Sequence, residues 1–158
     1  MPQKIIRTGL VGYGLGGRCF HAPFIAQHPG YELVRIVERQ KRESAERYPG
    51  AIITPSIEEL LADPSLDLVV ITTPNHTHYP FAVKALEAGK HVVVDKPMTV
   101  TSEEAEALMR LARQKGLCLS VYQNRRYASD ALTIKKIIRQ QLLGNLIEFE
   151  AQYNRYRP

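Results

Sequence analysis

Two cysteines are all that this 158-residue chain contains. Cys19 and Cys118 fall at no zinc-binding or redox spacing, so the sequence encodes neither a disulfide scaffold nor a metal knuckle. Cys118 lies in the apolar run GLCLSVY, and both thiols are expected as reduced core residues of a protein kept in a reducing compartment, the cytoplasm. Long hydrophobic runs are lacking as well. Glycines interrupt MPQKIIRTGLVGYGLGG before a secretory segment can form, and nothing approaches the roughly 20 apolar residues of a membrane span. There is no internal repeat and no low-complexity tract. A concentrated basic surface is missing too: the net charge is +5, but the basic residues are interleaved with sixteen acids and gather only in small knots at 39–42 and at Arg125–Arg126. That distribution argues against nucleic acid as a partner.

What remains, 44% hydrophobic and 23% charged residues, describes one soluble globular domain with material for a real core. Apolar runs of strand length, at 5–12, 31–38, 50–54, 66–73, 90–95 and 116–122, alternate with segments of helical period. They are expected to form six short buried strands. Ser56 with Glu59 and Thr101 with Glu104 have the spacing of capping boxes. From about Ser102 to Lys115, Ala105, Leu108, Met109 and Ala112 share one helical face, and Gly116 is placed to end the helix. Strand–helix alternation of this kind implies an α/β fold, a doubly wound parallel sheet with helices on both faces.

The first strand runs into GYGLGG, in which Gly12, Gly14 and Gly17, with Leu15 and Gly16 between them, fit G-x-G-x-x-G. Each glycine answers a physical demand: a tight turn, a close approach of backbone to a pyrophosphate, and close packing of the following helix. The second strand ends at Glu38, about 20 residues past Gly17, where an acid that grips the adenosine ribose is expected. Together these point to a dinucleotide. Glu38 favours NAD by repelling a 2′-phosphate. Arg39, Lys41 and Arg42 can equally accept that phosphate, so NAD and NADP both stay open, with a slight lean to NAD. The fifth run, VVVDKP, ends a doubly covered strand in a charged pair, Asp95 and Lys96, which is costly without a purpose. His76 and His78 have a metal-pair spacing but no third ligand, and no metal is expected. No tyrosine is followed four residues later by lysine, which removes the catalytic pair of short-chain dehydrogenases.

The segments GLVGYGLGGRCFHAPFI, ITTPNHTHY, AGKHVVVDKPMT and LSVYQNRRY, in that order, resemble the N-terminal half of the glucose-fructose oxidoreductase, inositol dehydrogenase and rhizopine-catabolism (Gfo/Idh/MocA) family. Within it they look most like scyllo-inositol dehydrogenase-like members. The resemblance implies a Rossmann domain over residues 1–144 and, over 145–158, the start of a second, mostly antiparallel substrate and oligomerisation domain missing from this chain. It implies that Lys96 reaches the nicotinamide ribose and the substrate hydroxyl. The family's usual acid before that lysine is Glu, and Asp95 is one methylene shorter. Thr73, Pro74 and Asn75 are implied along the cofactor, with His78 opening the next helix, and Gln123 and Asn124, with Arg125, beside the nicotinamide. The implied activity is hydride transfer between NAD or NADP and a sugar or polyol, in a homo-oligomer without membrane or nucleic-acid partners. These 158 residues alone, lacking the family's later catalytic histidine, are expected to be inactive. The alternative is a nucleotide-binding sensor without chemistry. The alternation of Ile147, Phe149, Ala151 and Tyr153 with polar residues reads as a further strand.

Overall fold

All six runs become strands of one sheet in the computed structural model, which describes residues 4–156. The strands are β1 (Ile6–Val11), β2 (Tyr31–Val37), β3 (Ile52–Thr54), β4 (Leu68–Ile71), β5 (His91–Asp95) and β6 (Leu119–Tyr122). Their order is β3-β2-β1-β4-β5-β6, and every neighbouring pair is parallel. Chain order therefore runs outward in opposite directions from β1 and β4, and the carboxyl ends of those two strands border a crevice. Between the strands lie α1 (Ala22–Gln27), α2 (Glu43–Arg47), α3 (Ile57–Leu61), α4 (His78–Glu87) and α5 (Ser102–Gln114). One compact unit runs through Tyr122, and a second starts at Gln123 and holds α6 (Ser129–Arg139).

The central strands are apolar throughout because both faces are covered. Val69, Ile71, Val92 and Val94 point to one side, into a core with Leu60, Leu86 and Leu108 from α3, α4 and α5. Val70 points to the other, with Leu10, Ile36, Ala22 and Ile25. Alternation on a strand thus feeds two cores at once, as parallel sheets require. The outer strands depart from the expectation of six buried strands. β3 and β6 are only partly buried, since each has a strand neighbour on one side alone.

Local signals in the sequence act as expected at two helix starts. The Ser56 hydroxyl accepts the Glu59 N–H, and the Thr101 hydroxyl accepts the Glu104 N–H. The Glu104 carboxylate reaches back to the N–H of Val100, one residue before the cap. Gly116 follows α5 at φ +64°. Three expectations need correction. Cys19 and Cys118 are exposed, not core residues: Cys118 sits just before the outer strand β6, and Cys19 lies on the outer side of a turn. Met109 is 44% exposed while Leu108 and Ala112 are buried, because the buried stripe of α5 is narrower than its apolar face. Residues 145–156 form no strand. Their alternation supplies a face but no partner to share the backbone ladder, and a lone strand has nothing to hydrogen-bond to.

Candidate functional site

The glycine turn is built by contacts that admit no side chain. Gly12 follows β1 at φ +100°, a conformation that L side chains rarely adopt. A Cβ on Gly17 would lie 2.2 Å from the Gly12 carbonyl oxygen and 2.9 Å from Thr72 Oγ1, so the segment after β1 packs as close as it does only because that position is bare. Thr72, just past β4, donates its hydroxyl to the Gly12 carbonyl at 2.8 Å. This ties the two strand ends that flank the crevice. Gly14 differs. Nothing among the described residues lies within 4 Å of a Cβ built there, so its bareness answers to none of these neighbours, and the space fits a phosphate pressed against the backbone. Leu15 is 69% exposed on the same turn. The residues present therefore fit a bound dinucleotide.

From Gly17 the chain makes a wide turn over Gly17–His21, closed by the Ala22 N–H on the Gly17 carbonyl, before α1 begins. Such widened turns carry one extra residue per turn and swing a side chain away from its regular helical direction. Here His21 swings inward, to 4% exposure. Its ring lies 4.1 Å from that of Tyr122, centre to centre, and the Tyr122 hydroxyl donates to the Phe20 carbonyl at 3.0 Å. Strand β6 thus clasps the turn.

At the end of β5, the answer to what Asp95 serves is that it does not pair with the Lys96 ammonium. Asp95 Oδ1 accepts the Lys96 main-chain N–H at 2.7 Å. Its Oδ2 stands 3.8 Å from His21 Nε2 and 3.0 Å from where a Cβ on Gly16 would be. The shorter acid turns back on its own backbone and faces the turn, and Lys96 is left exposed. Burial lowers the pKa of His21, with Asp95 opposing that shift, so the imidazole stands neutral at pH 7. Its Nε2 has no hydrogen-bond partner among the described residues.

The segment after β4 brings Thr73, Pro74 and Asn75 to the same carboxyl edge as the glycine turn and Lys96. Asn75 opens a single turn of tight helix, Asn75–Thr77, in which the Thr77 hydroxyl bonds to Thr73 Oγ1 and the Pro74 carbonyl. His78 starts α4 as expected, but it lies underneath, at 1% exposure. Its Nδ1 lies 2.7 Å from the Pro97 carbonyl and its Nε2 2.7 Å from the Thr73 carbonyl. With both nitrogens so engaged, His78 has no polar atom to present to a cofactor or to share with His76. It ties the Thr73 segment to the Lys96–Pro97 segment.

Glu38 directly follows β2, where the spacing requires it, yet its carboxylate is taken up by α2, accepting from Glu43 N–H, Ser44 N–H and the Ser44 hydroxyl. Arg39, Lys41 and Arg42 are exposed beside it. Gln123 and Asn124 follow β6 directly and belong to the second unit, where Asn124 opens a short turn over Asn124–Tyr127. His21, Thr72 and Tyr122 lie outside the sequence expectations. Thr72 and Tyr122 immediately adjoin expected residues. The signal for His21 was a single polar residue between the apolar neighbours Phe20 and Ala22.

Comparison with known proteins agrees with this geometry. Residues 6–123 match the model of the GFO_IDH_MocA oxidoreductase family, NAD-binding Rossmann fold. The chain is 43% identical over 153 residues to the Bacillus subtilis scyllo-inositol 2-dehydrogenase (NADP(+)) IolW, covering 97% of this chain and 43% of that protein. A crystal structure from Bacteroides fragilis superposes with a TM-score of 0.93 at 54% identity, over 98% of this chain and 46% of the other. The structure of GenD2 from gentamicin A biosynthesis, in complex with NAD, matches at TM-score 0.82 and 30% identity, over 88% of this chain and 40% of the other. The chain spans less than half the length of the curated relatives it matches.

Proposed function

Because the chain belongs to the Gfo/Idh/MocA oxidoreductase family, binding its nicotinamide cofactor, NAD or NADP, through a Rossmann fold, we propose that its protein transfers a hydride between that cofactor and a hydroxyl-bearing carbon of a sugar or polyol. The observation that carries the reading is the convergence of the glycine turn, the Thr73–Asn75 segment and an exposed, uncommitted Lys96 at one carboxyl edge of the sheet. The similarity to a scyllo-inositol dehydrogenase supports an inositol-like substrate.

In this reading the backbone of Gly12–Gly17 holds the pyrophosphate, Thr73, Pro74 and Asn75 line the cofactor, and Lys96 stands at the reacting hydroxyl. The bound nicotinamide supplies the hydride chemistry. An ammonium at the alcohol oxygen stabilises the alkoxide that develops as hydrogen leaves carbon. Asp95, bonded to the Lys96 N–H, fixes the peptide from which that side chain projects. The domain boundary falls after Gly144, with residues 145–158 opening the part that contacts substrate and joins copies of the protein. The protein works in the cytoplasm as a homo-oligomer. No described helix is long and apolar enough to cross a membrane.

The test is steady-state oxidation of inositols and hexoses by the intact protein with each dinucleotide, alongside Lys96→Ala. The expected outcome is turnover that falls by orders of magnitude in the variant while cofactor affinity changes by no more than a few-fold, as for a group acting mainly in the transition state. Saturable cofactor binding with no oxidation of any polyol or sugar would favour a nucleotide sensor instead.

A further inference from the structure

Glu38 has little left to offer a ribose. A carboxylate has about four lone-pair positions. Oε2 accepts the Ser44 N–H at 3.1 Å and the Ser44 hydroxyl at 2.6 Å, and Oε1 accepts the Glu43 N–H at 3.0 Å. The two N–H groups are the first of α2, donors that no helix can satisfy from within. Ser44 is fully buried, so its hydroxyl has no water to turn to. Gripping both ribose hydroxyls takes a free position on each oxygen, and here one position remains, on Oε1. The main-chain N–H of Glu38 is held as well, by the Thr54 carbonyl at 3.0 Å, which fixes the end of β2 against β3.

The charges around it are distributed to match. Glu43 is flanked by Lys41 Nζ at 3.4 Å and Arg18 at 3.7 Å, so these two cations already face a carboxylate. Arg39 and Arg42 are exposed on the same loop and pair with no carboxylate among the described residues. Two free guanidiniums thus follow directly on an acid whose charge is spent on a helix start. A guanidinium offers a phosphate two parallel donors, and a ribose hydroxyl gains little from one.

We propose that Glu38 is the cap of α2 rather than the acid that reads the ribose, and that Arg39 and Arg42 select the 2′-phosphorylated cofactor, NADP(H). The one free position on Oε1 suits the 3′-hydroxyl, which both cofactors carry, so Glu38 does not distinguish them. This rests on the dinucleotide reading of the glycine turn, and it reverses the preference that an acid at this position suggests from sequence.

The experiment is calorimetric titration of the intact protein with NADP+ and with NAD+, for the wild type, Glu38→Gln and the double variant Arg39→Ala, Arg42→Ala, with a thermal melt of each. NADP+ is expected to bind more tightly than NAD+. The double variant should lose about tenfold to a hundredfold in NADP+ affinity, the worth of one or two charge-assisted hydrogen bonds, with NAD+ affinity within a factor of about two and an unchanged melt. Glu38→Gln keeps an acceptor but cannot serve three donors, so it should melt lower with the ratio of the two affinities unchanged. A Glu38→Gln protein with an unchanged melt and a ratio shifted toward NADP+ would restore Glu38 as the discriminating acid and overturn the inference. NADP+ affinity that survives the double variant would overturn it as well. If the wild type binds neither dinucleotide, the cofactor reading falls and this inference with it, whereas equal binding of both defeats the inference alone.

Discussion

His21 Nε2 lies 3.8 Å from Asp95 Oδ2, with no other polar partner among the described residues. The pair joins the turn after β1 to the end of β5, beneath the backbone that carries Lys96. Burial lowers the His21 pKa below its ordinary 6.5, and the Asp95 charge offsets only part of that. The folded state therefore takes up a proton at this residue at lower pH than the unfolded chain does, and folding stability is full above about pH 6.5 and declines as pH falls below it. Urea unfolding at pH 7.5 and 5.5 should show a smaller loss for His21→Gln than for the wild type. An equal loss in both would mean that His21 titrates as it does in the unfolded chain.

The glycines of the turn should separate stability from binding. Gly17→Ala forces a Cβ to 2.2 Å from the Gly12 carbonyl, and a cost of roughly 2 to 4 kcal/mol is expected in thermal or urea unfolding. Gly14→Ala meets no atom of the described residues within 4 Å, so its stability should stay within about 0.5 kcal/mol. Its affinity for the dinucleotide should drop at least tenfold, because the methyl group would occupy the space taken by phosphate. Unchanged affinity in Gly14→Ala would place the phosphates elsewhere.

Among the described residues, His78 is the one side chain whose ring nitrogens lie within hydrogen-bond distance of both the Thr73 and the Pro97 carbonyls. His78→Leu keeps much of the volume and removes the ring N–H that these two interior carbonyls face, at a cost of about 1 to 3 kcal/mol. The expected readouts are a lower unfolding midpoint and faster amide exchange in residues 73–77 and 96–98. Exchange that rises in only one of the two segments would show that they are not coupled through this ring.

Asp63 gives a prediction in acid. Its Oδ1 accepts the Ser65 N–H and hydroxyl, and its Oδ2 accepts from Arg35 Nε at 2.7 Å. The Ser65 hydroxyl, then Arg35, hold the carboxyl well below the usual carboxylate range. A depressed folded pKa adds stability above the unfolded value of 3.8 that is lost as pH falls through the folded one. Asp63→Asn should cost roughly 1 to 2 kcal/mol at pH 7, and the gap to the wild type should close steadily below about pH 4. A gap independent of pH would assign the loss to packing.

Much of this protein was legible in one dimension. Six apolar runs, the alternation with helical segments, two caps and the spacing of three glycines each depend on residues that are neighbours in sequence, and local sterics and hydrogen bonding act at that range. They determined a parallel doubly wound sheet, the glycine turn and the family resemblance, together with the approach of Thr73–Asn75 and Lys96 to one edge.

Only the tertiary structure decided what the side chains at that edge do. A carboxylate's role is set by which donors reach it, and those come from segments the sequence does not align. Glu38 stands at the right distance from Gly17, but the donors of Glu43 and Ser44 take it first. Asp95 turns to its own backbone and to His21, and His78 goes under the site. Cys118 reads as core from its apolar neighbours and is exposed because β6 is the last strand of the sheet. Residues 145–156 have the alternation of a strand and form none. Hydrophobic pattern fixes which face of an element is apolar, and it is the neighbouring element that decides whether that face is buried and whether its polar groups are free.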